Sequence, residues 1–92
     1  MKDLNALRLE IDRIDRQLVA LFEQRMAVTE QVGRYKLANG LPVLDRSREE
    51  QVLAEKVALL RDPALAADVT DLFEAIMAIS RRQQQALPDE NK

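Results

Sequence analysis

The reactive potential of this chain lies in cations that stand on apolar helical stripes. One series of positions reads Leu4, Leu7, Ile11, Ile14, Leu18, Leu21, Arg25, Val28, Val32 and Tyr35, spaced three and four residues apart without a slip. That is the period of a helix packed against other helices. Nine of its ten members are apolar or aromatic, and the tenth is a guanidinium. A buried cation without a counter-charge is strongly destabilising, so Arg25 calls for an anion, either a side chain or a ligand. Lys36 stands eleven residues further on. On a helix that is about 20° around the axis and about 16 Å along it, so both long side chains could reach one small anion. Carboxylates are missing from that face: the position in register is Thr29, while Glu30 and Gln31 point elsewhere.

Two further groups share this character. Near the C-terminus a stripe reads Val69, Phe73, Ile76, Ser80, Gln84, Leu87. Two hydrogen-bonding side chains replace apolar ones there, one turn apart on one face. Asp45, Arg48 and Glu49 cluster where a helix begins. Free N–H groups at a helix start attract anions, and arginine adds a planar fork suited to a carboxylate. Taken singly, each group has a plainer reading. Arg25 could be a register-fixing residue paired with an acid from elsewhere. Lys36 could be a solvated residue complementing a helix dipole. Ser80 and Gln84 could satisfy the backbone or each other, and Asp45, Arg48 and Glu49 could be ordinary capping. Taken together, with Arg8 added as argued below, they describe a pocket for a small dianion, with a dicarboxylate as the natural guess.

Three helices must position these residues. The first is expected from Leu4 to Ala38, with Asp3 as N-cap, Asn39-Gly40 as the stop and Pro42 beyond. The second is expected from a capping box, Ser47 as cap and Glu50 three residues on, through Val52, Leu53, Val57 and Leu60 to about Arg61. Asp62-Pro63 closes it and opens the third, with Asp as cap and Pro at the first position. The third fades near Leu87-Pro88 and leaves a frayed tail at 88–92. The fold class is all-α, three helices in one domain spanning 1–92, with its core at about 4–87.

Composition narrows the chemistry. The chain has 92 residues, no cysteine and no histidine. Disulfides, thiol nucleophiles, thiolate or imidazole metal sites and the commonest general base are thereby excluded. There is no Asp-rich cation loop, and neither a metal nor a cofactor is expected. Three aromatic residues, two glycines and three prolines favour aliphatic helix packing over strands and hairpins. A net charge of −2 gives no case for nucleic acid or an anionic membrane. No apolar run approaches the roughly 20 residues of a membrane span, and Met1-Lys2-Asp3 opens no signal segment. A soluble cytoplasmic protein is expected.

Length implies a partner. The first helix is about 53 Å long, whereas a compact chain of this size is roughly 30 Å across. Its seam cannot be covered by its own two shorter helices, so a homodimer with the long helices side by side is expected. A parallel pairing would stack Arg25 on its own copy; an antiparallel pairing avoids this. Position n then faces 43 − n, and Arg8 of one protomer lies beside Lys36 of the other. Within one chain those two residues are about 42 Å apart along the axis.

The series Leu7-Arg8, Ile14-Asp15, Leu18, Glu23-Gln24-Arg25, Val32-Gly33-Arg34-Tyr35-Lys36, Pro42-Val43, Asp45-Arg46-Ser47-Arg48-Glu49, Ser80 and Gln84 resembles the all-helical class of chorismate mutases over about residues 4–87. The resemblance implies an intertwined homodimer with two equivalent sites, and the Claisen rearrangement of chorismate to prephenate in aromatic amino-acid biosynthesis. It also implies roles. Arg25, Arg48 and the partner chain's Arg8 would surround the substrate carboxylates, with Ser80 contacting one of them. Lys36 would contact the ether oxygen and a carboxylate, and Gln84 would be the second ether-oxygen donor. Glu49, with the backbone near Asp45, would hold the ring hydroxyl. Some members carry glutamate at the position of Gln84 and need it protonated; an amide removes that requirement. The alternatives are an isochorismate–pyruvate lyase of the same fold, against which the Asp-x-x-Arg-Glu turn argues, and a non-catalytic helical dimer or regulatory module. Some relatives are fused to a second enzyme, so the chain is expected to be either monofunctional or a piece of a longer protein.

Overall fold

The computed structural model describes residues 2–89. Among them the elements are helix α1 (Leu4–Ala38), helix α2 (Arg46–Ala58), a short 3-10 helix (Pro63–Leu65) and helix α3 (Ala66–Gln85). α1 has the expected bounds. Asp3 caps it by accepting from the Ala6 N–H at 2.8 Å, and the chain leaves through Gly40 at φ 64, a left-handed conformation that glycine adopts without strain. Of the tail expected at 88–92, residues 90–92 lie outside the described residues.

Three boundaries differ from expectation: the start and the end of α2, and the start of α3, which is Ala66 and not Pro63. α2 is capped by Asp45 and not by Ser47: the Asp45 Oδ1 accepts from the Arg48 N–H at 3.0 Å, so the helix starts at Arg46. The carboxylate reaches the third N–H, and Ser47 falls inside the first turn. α2 also stops at Ala58, short of Arg61. Leu59 and Leu60 donate to the carbonyls three residues back, Lys56 and Val57, each at 3.1 Å. This tightens the last turn before Asp62-Pro63, where proline disfavours helical backbone in the residue before it. Asp62 then caps the 3-10 turn through the Ala64 N–H at 3.0 Å, and α3 follows from Ala66.

α3 packs on both α1 and α2. It meets the C-terminal half of α1, where the Gln83 amide donates to the Met26 carbonyl at 2.8 Å and accepts from the Thr29 hydroxyl at 2.8 Å. The close approach there needs Gly33, the buried residue of α1. The apolar core is small: Val52 and Met77, each 6% exposed, are its buried members among the described residues. The N-terminal half of α1 is bare. Leu4, Leu7, Ile11, Ile14, Leu18 and Leu21 are all between 41% and 60% exposed. The shape agrees: extents are 60 × 25 × 15 Å and the radius of gyration is 16.9 Å, against about 12 Å for a compact chain of this length.

Candidate functional site

Where the three helices meet, a cavity of about 310 Å³ opens. Seven of the eight residues singled out from the sequence line it: Arg25 and Lys36 from α1, Asp45 at the turn, Arg48 and Glu49 from α2, and Ser80 and Gln84 from α3. Arg8 does not. It is exposed near the far end of α1.

Arg25 is not bare on its seam. Its Nη1 donates to the Ser80 hydroxyl at 3.0 Å, and that hydroxyl donates in turn to the Ile76 carbonyl at 2.9 Å. The neutral hydroxyl aims the guanidinium without cancelling its charge. Lys36 is half-buried and its Nζ donates to the Val43 carbonyl at 2.7 Å, which ties it to the turn before α2 and leaves N–H bonds to spare. Arg48 donates to Gln51 Oε1 at 3.2 Å and is otherwise exposed.

Gln84 is 7% exposed. Among the described residues its Oε1 is the buried side-chain atom without a hydrogen-bond partner. A buried polar atom of this kind ordinarily has a hydrogen-bond partner, so the amide is suited to meeting a polar ligand. An amide carries both an acceptor and two donors; turned about its last bond, it presents N–H to the same space. Asp45 uses one oxygen to cap α2. Glu49 is paired with Arg81 of α3.

Sequence reasoning did not single out Arg81, which lines the cavity beside Ser80. Nor did it assign a role to Gly33, whose signal was a lone glycine inside a helix of 35 residues. The apolar walls are Val28, Val32, Val43, Val52 and Met77. Cations and aliphatic walls in one cavity suit a ligand with anionic groups on a small apolar frame. No three His, Cys, Asp or Glu side chains gather to hold a metal among the described residues, and no described helix is long and apolar enough to cross a membrane.

Fold and site together define an all-helical protein with a cation-lined cavity at the junction of its helices. The chain belongs to the chorismate mutase type II family, whose model matches residues 7–85. It is 38% identical over 85 residues to the bifunctional chorismate mutase/prephenate dehydratase of Escherichia coli (strain K12), covering 91% of this chain and 22% of that protein. It is 32% identical over 79 residues to the intracellular chorismate mutase of Mycobacterium bovis, covering 86% of this chain and 70% of that one. The chain thus spans about a fifth of the length of the Escherichia coli relative and of the T-protein of Haemophilus influenzae, which it also matches. Its structure resembles that of chorismate mutase (form II) from Thermus thermophilus, with a TM-score of 0.87 and 30% identity over 92% of this chain and 97% of that one.

Proposed function

We propose that this chain is a chorismate mutase, an isomerase that rearranges chorismate to prephenate in aromatic amino-acid biosynthesis. The observation that carries the reading is the gathering of Arg25, Lys36, Arg48 and Gln84 around one cavity in a chain of this family. The reaction is unimolecular: the ether C–O bond breaks as a C–C bond forms, with no proton transferred and no covalent intermediate. A chain without histidine or cysteine can support it by holding the reactive diaxial conformer and by stabilising charge that grows on the ether oxygen.

In this reading Arg25, aimed by Ser80, and Arg48 bind the two carboxylates. Lys36 and the Gln84 amide donate to the ether oxygen, and Glu49 accepts from the ring hydroxyl near the Asp45 backbone. Residues 4–87 act as one helical unit, and two copies form the working enzyme. The bare seam of α1 supports this, because each such side chain contributes roughly 1.5–3 kcal/mol when buried. Antiparallel pairing of two α1 helices brings the partner chain's Arg8 to the end of the cavity at Lys36. A cytoplasmic location accompanies the reading, supported by the Mycobacterium bovis relative's description as intracellular.

The direct test is loss of chorismate absorbance with purified protein and identification of the product. Prephenate is expected; no turnover, or release of pyruvate, contradicts the proposal. Lys36→Ala should lower kcat by at least about 10²-fold, roughly 2.7 kcal/mol of transition-state stabilisation.

A further inference from the structure

Arg81 is the cavity cation to which the reading above gives no role. It follows Ser80 on α3, and its Nη1 donates to Glu49 Oε1 on α2. The two side chains are 31% and 24% exposed, so the pair is more shielded from water than an ordinary surface bridge. It is also a partition. Glu49, Arg81 and Met77 line both the main cavity and a neighbouring hollow of about 340 Å³.

Two carboxylates line the main cavity, and they are not equivalent. Asp45 is exposed and has an oxygen committed to the Arg48 backbone N–H as the cap of α2, whereas Glu49 is partly buried and is held by a side chain of α3. Arg25, Lys36 and Arg48 share that cavity. A carboxylate free to turn among three cations would pair with one of them and cancel a charge that a dianionic ligand needs. Arg81 instead engages Glu49 from α3 through Oε1, and Oε2 takes no part in that contact.

We propose that Arg81 is a positioning residue. It holds Glu49 so that its second oxygen accepts from the substrate's ring hydroxyl, and it keeps that carboxylate off the substrate-binding cations. The inference rests on the chorismate reading. Arg81 itself does not touch the reacting atoms.

Arg81→Met keeps an unbranched stem and removes the fork. The experiment compares kcat and KM of the unmodified chain and Arg81→Met, with chorismate and with an analogue bearing hydrogen in place of the ring hydroxyl. Both comparisons are repeated on a Glu49→Gln background. With chorismate, kcat/KM should fall about tenfold, and with the analogue by no more than about twofold. On the Glu49→Gln background the added loss should shrink, since contacting residues are non-additive. Arg81→Lys should recover part of the activity. Where Arg81→Met does not fold at the assay temperature, Arg81→Gln carries the same comparison. No loss with chorismate, an equal loss with both substrates, or a fully multiplicative loss with Glu49→Gln overturns the inference. No turnover by the unmodified chain overturns the chorismate reading, and this inference with it.

Discussion

Gly33 of α1 leaves the Gln84 Cγ of α3 only 2.7 Å from where a β-carbon at position 33 would stand. Leu87 Cδ1 is equally close. A glycine in the C-terminal part of a long helix thus sets how near the amide donor comes to Lys36 and Arg25. Gly33→Ala should push Gln84 out of place. Helix propensity favours alanine by about 1 kcal/mol, while overpacking costs about 1–3 kcal/mol. The net loss of stability should therefore be modest and the loss of kcat clear, about tenfold or more. Steady-state kinetics with a thermal melt checks this; unchanged kcat would mean that the helices give way without moving the amide.

Gln84→Glu should make the reaction pH-dependent. An amide donates at every ordinary pH, whereas a carboxyl donates only when protonated. The rate of Gln84→Glu should therefore rise as pH falls through the carboxyl's titration and be lost as pH rises above it. The unmodified chain should show no such limb from this position. A flat pH–rate profile for Gln84→Glu would remove Gln84 from the list of hydrogen-bond donors to the substrate.

The bare seam makes its own prediction. Leu21 is 60% exposed and would lie close to the two-fold axis of an antiparallel pair. Leu21→Glu should place like charges near each other there and remove an apolar contact on each side. Sedimentation should then show monomer at micromolar concentration, with activity lost alongside. A stable active dimer would mean that the copies pair through another face.

Much of this architecture is legible in the residues, and the failures have definite causes. The three-four period of Leu4 to Tyr35, with Asp3 and Asn39-Gly40 at its ends, gives α1 in full, because local pattern and capping agree. The start of α2 is ambiguous because two capping patterns overlap: Ser47 with Glu50, and Asp45 with the Arg48 N–H. The second begins the helix earlier. Four cavity residues, Arg25, Lys36, Ser80 and Gln84, are found from polar groups on or in register with apolar stripes, a signal that periodicity carries, and Asp45, Arg48 and Glu49 from their cluster at a helix start. The Glu49–Arg81 pair is not found that way, because contacts between α2 and α3 depend on how the helices are offset, which packing decides. Arg8 is a third case. Within one chain it lies far from the cavity, and a role for it depends on the partner.

That dependence supplies the most direct measurement. Arg8→Ala and Lys36→Ala chains should each be nearly inactive alone. Mixed, unfolded and refolded together, they should regain about a quarter of the unmodified activity. Random pairing makes about half the dimers mixed, and each mixed two-fold dimer holds one site with both residues intact and one with neither. Recovery near that level, with prephenate as product, is the result we expect. No recovery from a mixture shown to contain mixed dimers would contradict a site built from two chains.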